Sequence, residues 1–520
     1  MTSRSAPLDP IATSSRIEDD YRSYLLTTFH VADADLRREL EERLREDGRI
    51  RRGPIVQATP PYRPGRTLRA LVDEGVLHPD LLRHDEAVLP PDRPLYAHQE
   101  EALRALRAGR NLIVATGTGS GKTECYLLPV LDHLLRERDA GTVGEAGVRA
   151  LLLYPMNALA NDQMARIRDL FAPYPELTFG RYVGDTEHDP GKALESYRQQ
   201  HGGADPLPNE LIDRQSMKDA PPHVLLTNYA MLEYLLLRPA DSPFFDGPTG
   251  RHWRFVVLDE VHVYDGARGA ELGMLLRRVR DRVHASERGR LQCIGTSATL
   301  GRGAEDAPAV AAFARELFDE AFAADDVVLP QRLPLRHGES EWKLTPAALD
   351  ELHARWRQGA DADELIAAVA ECLQAPPSRS FDRPEAALHE LLRTEHHVVE
   401  VQHALESGSK ELHAVADVMD GFPDPARAVV KLVDLCIAAR PDERSASLVP
   451  ARYHLFLRAS EGAYVCWSGD HPADQPRLVL DRHQVCPACA GVGGESRMFE
   501  LAFCRHCGVD YAVGTLENGR

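Results

Sequence analysis

Between residues 95 and 300, short apolar runs alternate with stretches of helical periodicity. The runs are 111–115 (NLIVA), 150–154 (ALLLY), 178–183 (TFGRYV), 224–227 (VLLT), 255–258 (FVVL) and 291–295 (LQCIG). Strands that are apolar at nearly every position are buried on both faces, the mark of a parallel sheet covered by helices. Right-handed crossovers then predict an open, doubly wound α/β domain whose ligands sit at the carboxyl ends of the strands.

The pattern differs on either side. Residues 1–90 open with helix-like text such as 33–45 (DADLRRELEERLR) and continue through a Pro-rich segment at 53–65. They read as a helical extension and linker. Residues 303–450 are Ala/Leu/Glu-rich and mostly helical, interrupted at Pro376-Pro377. Residues 451–520 return to strand-like text, with 453–458 and 462–467 spaced as a hairpin ahead of paired cysteines. Four regions are therefore expected: 1–90, an α/β domain at 91–302, a helical insertion at 303–450, and a hairpin with a metal-binding ribbon at 451–520.

Composition adds bounds. At 520 residues, 43% apolar and 27% charged, the chain is long enough for several folded domains. The polar, acidic N-terminus lacks the apolar core of a signal peptide, and no apolar run approaches the roughly 20 residues that span a bilayer, so a cytoplasmic, soluble protein is expected. A net charge of −19 argues against indiscriminate coating of nucleic acid but not against a local basic channel.

The strongest chemistry lies in Ala115-Thr116-Gly117-Thr118-Gly119-Ser120-Gly121-Lys122-Thr123, between a strand and a helical stretch. Glycines let successive backbone N–H groups turn toward phosphate oxygens, and the helix N-terminus adds a favourable dipole. Lys122 is suited to neutralise β/γ-phosphates, and Thr123 to offer its hydroxyl to Mg²⁺. Thr116 stands where the strict phosphate-loop string has its first glycine, and alone such a loop is also an ordinary turn. A second string answers it: Phe255-Val-Val-Leu-Asp259-Glu260-Val-His262 ends an apolar strand in two adjacent carboxylates. Phosphoryl transfer needs one carboxylate for the metal, Asp259, and another to orient the attacking water, Glu260.

These strings, followed by Ser297-Ala298-Thr299, resemble in order motifs I, II and III of superfamily 2 DEAD/DEAH-box helicases. Two further segments agree. Leu95–Gln99 (LYAHQ) resembles the adenine-reading Q motif; 154–160 (YPMNALA) and Thr227-Asn228 resemble motifs Ia and Ib. The resemblance covers residues 93–301. It implies a RecA-like sheet, ATP as substrate with Mg²⁺, and catalytic roles for Lys122, Asp259, Glu260 and His262. It further implies that Gln99 reads the adenine edge and that Ser297, Ala298 and Thr299 relay nucleotide state. Pro155, Asn157, Thr227 and Asn228 are then expected to touch the nucleic-acid backbone. The wording of 154–163 and 259–279 is similar to large bacterial antiviral-defence helicases (Druantia and DISARM types) and YprA-like helicases, whose likeness favours DNA over RNA.

Nine cysteines include two C-x2-C pairs, Cys486/Cys489 and Cys504/Cys507, separated by 14 residues. Two knuckles of this kind predict a closed, tetrahedral, structural Zn²⁺ site with those four thiolates as ligands. Arg277, Arg278 and Arg280 read as a solvated helix face, and His396-His397, without ligand spacing, as surface.

After Thr299 no second strand–helix series with arginine-finger text is found. The expectation is the nucleotide-loading half of a motor, an ATP-dependent helicase or translocase whose second RecA-like domain lies elsewhere, in cis or in a partner chain. The rival reading is a non-unwinding, ATP-gated nucleic-acid-binding subunit of a larger defence or repair complex.

Overall fold

A computed structural model describes residues 9–46, 48–117, 119–299, 303–335, 338–373, 380–443, 445–458, 462–504 and 506–514. The chain divides into two compact units: 62–333, and 1–61 with 334–520.

The unit 62–333 is built on eight strands: β1 (Leu112–Ala115), β2 (Ala150–Tyr154), β3 (Phe179–Arg181), β4 (Glu210–Leu211), β5 (Val224–Asn228), β6 (Phe255–Leu258), β7 (Gln292–Ser297) and β8 (Val327–Val328). Their spatial order is β8-β1-β7-β6-β2-β5-β3-β4, and every pairing is parallel. All six expected strands are present. The two additions, β4 and β8, are two-residue edge strands too short to leave a period in the sequence.

The apolar runs are continuous because both faces are covered. Leu112 and Val114 join one core, with Leu152 and Tyr154; Ile113 and Ala115 join the other, with Leu151 and Leu153. Helices α1 (Ala97–Arg107), α2 (Lys122–Asp139) and α3 (Asn157–Phe171) carry buried residues of the first core, and α4 (Tyr229–Leu237) and α5 (Gly266–His284) of the second. Each fully buried Leu or Val contributes about 1.5–3 kcal/mol relative to leaving it exposed. This is the RecA-like doubly wound fold.

The boundaries expected at 90 and 302 differ from those the packing draws. Leu68, Leu71, Leu77, Leu81 and Leu89 are buried in the first core of the sheet unit, and the Tyr174 hydroxyl donates to the Asp80 carbonyl at 2.8 Å. Beyond 302, β8 pairs with β1. The ends of the unit meet: Tyr62 bridges Arg332, and Arg63 N donates to Gln331 O at 2.7 Å.

In the other unit, six helices among the described residues between Pro346 and Ala438 pack around a core that includes Leu349, Leu392, Val401 and Leu432. Val56 of the strand Arg51–Ala58 joins that core. The expected hairpin of 453–458 with 462–467 is not formed. Ala451–Leu457 pairs antiparallel with Arg51–Ala58 instead, in a sheet completed by Lys410–Glu411. Tyr464–Cys466 belongs to a separate four-stranded antiparallel sheet, ordered Leu478–Val479, Tyr464–Cys466, Met498–Phe503, Asp510–Val513. Helices Pro10–Thr28 and Ala34–Leu44, capped by Asp9 and Asp33, lay Leu25, Leu36, Leu40 and Leu44 against Val465, Leu478 and Leu501 of that sheet.

Two sequence expectations for histidine and arginine change here. His397 is fully buried, its Nδ1 2.8 Å from Glu395 Oε1, a carboxylate that also caps the helix His396–Glu406 through Val398 N. Arg280 is buried as well and pairs with Asp319 and Glu320. Among the described residues no helix is long and apolar enough to cross a membrane.

Candidate functional site: a nucleotide cleft and a cysteine cluster

The loop after β1 turns on two glycines that hold left-handed backbone, Gly119 (φ 73°) and Gly121 (φ 71°). At Gly121 a side chain has no room as well, since a Cβ there would lie 2.2 Å from Gln99 Nε2. Thr116, the departure from the strict phosphate-loop string, is buried, and its hydroxyl lies 2.7 Å from that of Ser120, tying the loop across its base. Thr118 lies outside the described residues. Gln99 is locked at both ends of its amide: Oε1 accepts from Tyr96 N at 2.8 Å and Nε2 donates to Gly121 O at 3.1 Å. It braces the loop after β1.

Lys122, at the start of α2, donates to the Thr116 carbonyl at 3.3 Å and to Glu260 Oε1 at 3.4 Å. The loop after β1 and the end of β6 therefore share one cleft. Asp259 is held where β6 leaves the sheet, its N–H donating to Leu153 O of β2 at 2.9 Å. Burial pushes its carboxyl above the ordinary aspartate value, against a hydrogen bond donated by the Thr296 hydroxyl. The same hydroxyl accepts from Glu260 N at 3.3 Å. Glu260 takes left-handed backbone (φ 51°), costly for a non-glycine residue and fixed here by that bond and by its two side-chain partners. One partner is Lys122; the other is His262, whose Nδ1 lies 3.3 Å from Glu260 Oε2 and 3.2 Å from the Ser297 hydroxyl. Ser297 also accepts from Thr299 N at 3.2 Å. Ala298 follows the end of β7 between them.

Thr296 was not singled out in the sequence. Its signal was its place, one residue before Ser297 on a strand ending beside the Asp259 strand. Also missed was an aromatic group beside the loop. The Tyr62 ring lies 5.0 Å from those of both Tyr96 and His98, with the Arg332 guanidinium 4.4 Å above it, and His98 Nε2–H donates to Ser120 O at 2.8 Å.

The residues expected along a nucleic-acid path divide. Asn228 Nδ2 donates to Asn157 Oδ1 at 2.8 Å, joining the end of β5 to the start of α3 at an exposed position. Asn228 Oδ1 caps α4 through Met231 N at 2.8 Å. Pro155 is half-buried, and Met156 beside it is exposed. Thr227 is a correction: it is fully buried, because both faces of β5 are covered, and its hydroxyl donates to Tyr182 O at 2.6 Å. Its side chain offers nothing to a nucleic-acid backbone.

Oxygen donors at Thr123 and Asp259 are of the hard type that Mg²⁺ takes while keeping several waters, so the residues present fit that ion.

Residues 96–307 match the DEAD/DEAH box helicase family. The chain carries a DEAD/DEAH box helicase domain. Over 96% of this chain it is 27% identical to Druantia protein DruE of Escherichia coli (strain UMEA 4076-1), of which it spans 33%. The helicase domain is also similar to ATP-dependent helicase HRQ1 of Saccharomyces cerevisiae, 28% identical over 39% of this chain and 16% of that protein. Among solved structures, the DUF1998 helicase MrfA bound to DNA and AMPPNP superposes with a TM-score of 0.34 at 22% identity, covering 69% of this chain and 41% of that one.

The cysteines assemble differently from the expected pairing of two knuckles. Cys486 and Cys489 converge with Cys466 and His471, all four buried, with their ligand atoms within 4.8 Å of one another. Cys504 and Cys507 are not in this group. The antiparallel register explains the choice: Cys466 sits opposite Met498, and Met498 N donates to Gln484 O at 3.1 Å, which brings the 486–489 knuckle beside Cys466. The sequence signal was Cys466-x4-His471, hidden because it is neither a C-x2-C pair nor contiguous with one.

Proposed function

We propose that residues 62–333 are the ATP-binding first motor domain of a DNA helicase or translocase. The observation that carries this is the connected set Lys122–Glu260–His262–Ser297, which links the phosphate loop to the end of β7 through three contacts of 3.2–3.4 Å. Mg²⁺, when bound, neutralises the charge that develops on the transferred phosphoryl group. Thr123 and Asp259 are the residues to hold it. Lys122 binds the β/γ-phosphates, and Glu260 orients the attacking water. His262, facing both Glu260 and Ser297, reports the state of the hydrolytic carboxylate to β7. Tyr62, Tyr96 and His98 form the wall for the base, and Gln99 keeps the loop beneath it in shape. Asn157 and Asn228 face the nucleic-acid backbone.

Transition-state arginines supplied from a second domain are worth roughly 10³–10⁵ in rate in related phosphoryl transfer. In this reading they come from another domain, in cis or in a partner chain, and the likeness to DruE supports a role in antiviral defence. The reading also includes one Zn²⁺ held by the C-terminal cysteines.

Fluorescent-ATP binding and DNA-stimulated hydrolysis by the 520-residue chain test the proposal. Expected are Mg²⁺-dependent binding that Lys122→Ala weakens by roughly 100-fold or more, and slow hydrolysis. ATP affinity left intact by Lys122→Ala overturns the assignment of the loop. Rapid DNA-stimulated hydrolysis by the chain alone overturns the half-motor. Strand displacement by the completed motor separates a helicase from a non-unwinding, ATP-gated clamp.

A further inference from the structure

We propose that Cys466, His471, Cys486 and Cys489 hold a single structural Zn²⁺ and that Cys504 and Cys507 take no part in it. This rests on the zinc reading above and names its ligands.

Three of the six distances between ligand atoms have the lengths of a tetrahedral site, and all six lie within 4.8 Å. Cys466 Sγ and Cys489 Sγ lie 3.8 Å apart, and His471 Nδ1 lies 3.6 Å from Cys486 Sγ and 3.5 Å from Cys489 Sγ. A tetrahedral ion with Zn–S near 2.3 Å and Zn–N near 2.0–2.1 Å places two sulfurs about 3.8 Å apart and a sulfur and a nitrogen about 3.5 Å apart. These edges agree with the observed ones to about 0.1 Å. The cysteines are not a disulfide, whose sulfurs stand about 2.05 Å apart.

The histidine is prepared for the role. Its Nε2 lies 3.2 Å from the Gln475 carbonyl, which can only accept, so Nε2 carries the proton and Nδ1 presents its lone pair to the sulfurs. A neutral imidazole donor and three thiolates form a closed set of four, the ligand number of a structural rather than a catalytic zinc. The knuckle is backbone-braced: Cys486 N donates to Ser496 O at 2.7 Å, and Gly494 N to Cys489 O at 2.8 Å. The site also stands where apolar packing is least. Cys466, Cys486, Cys489 and Met498 make up a small cluster of their own, in which three of the four buried side chains are ligands. Cys504 and Cys507, by contrast, are half-buried and exposed.

Metal analysis of the purified full chain is the first test, with one Zn²⁺ per chain expected. Cys466→Ser and His471→Ala reduce this to near zero, and Cys504→Ser leaves it unchanged. Because a variant can fail to fold, the unaltered chain is also loaded with Co²⁺, whose sulfur-to-metal charge-transfer intensity counts thiolates. Three are expected; four overturn the assignment. Zinc lost from Cys504→Ser but kept by Cys466→Ser overturns the ligand set while zinc binding itself stands. A chain that takes up neither ion overturns both.

Discussion

In the eight-stranded parallel sheet, each functional loop hangs from the carboxyl end of a strand buried on both faces. In the four-stranded antiparallel sheet, the clustered side chains come from a strand end, a loop and a knuckle brought together by cross-strand register. The first arrangement is rigid without help: Ile113, Val114, Leu152 and Leu258 are wholly buried among apolar neighbours. The second has Val465, Leu478 and Leu501 against two N-terminal helices on one side and mostly sulfur on the other. A large core positions a site as a by-product of folding. A small one needs the site itself to complete the fold.

The largest expected effect follows from that contrast. A zinc-selective chelator, with Mg²⁺ held constant, should destabilise the four-stranded sheet by several kcal/mol while the helicase domain keeps its nucleotide affinity, because structural Zn²⁺ contributes about 10–16 kcal/mol in peptides with no core at all. Calorimetry resolving two transitions, only one of them moving, is the measurement. A joint shift of both would mean that the two regions do not differ as described.

Lys122→Ala comes next. Hydrogen bonds to charged groups are worth about 1.5–3 kcal/mol each, so losing contacts to two phosphates should weaken ATP binding by roughly 100-fold or more. Zinc content should not change. Equilibrium titration and metal analysis on the same preparation check both halves of the statement.

Thr296→Val should have a smaller effect, about 1–3 kcal/mol, by leaving the buried Asp259 carboxylate and the Glu260 N–H without their shared hydroxyl. Chemical denaturation should show the loss, and hydrolysis should fall by more than ATP affinity does. The reverse pattern would place Thr296 in binding and not in the positioning of the carboxylates.

Asn157→Ala should be the mildest. It removes one side-chain bond at an exposed position, about 1 kcal/mol, and should weaken single-stranded DNA binding a few-fold with ATP binding unaltered. No change in DNA affinity would remove the 157–228 pair from the nucleic-acid path.

The same contrast decides what could be read from the sequence. In the parallel sheet each strand and its loop are contiguous, so FVVLDEVH announces both the element and its chemistry. Six strands were legible for that reason, while Glu210–Leu211 and Val327–Val328 were too short to show a period. Thr296 was missed because its role depends on which strand is its neighbour. Across the antiparallel sheet the decisive information is register. Cys504-x2-Cys507 has the more familiar spacing, yet Cys466 and His471 are the residues carried to the 486–489 knuckle. Burial of His397 was hidden similarly, because a histidine enters a core when a carboxylate such as Glu395 accompanies it.

The sheet unit closes on itself where Tyr62 bridges Arg332, so 62–333 interrupts a unit begun by residues 1–61 and resumed at 334. During synthesis the strand Arg51–Ala58 leaves the ribosome long before its partner Ala451–Leu457 exists. At about 5–20 residues per second the wait is on the order of tens of seconds. The helicase domain has time to fold meanwhile, and the strand Arg51–Ala58, though made before it, is paired only afterwards.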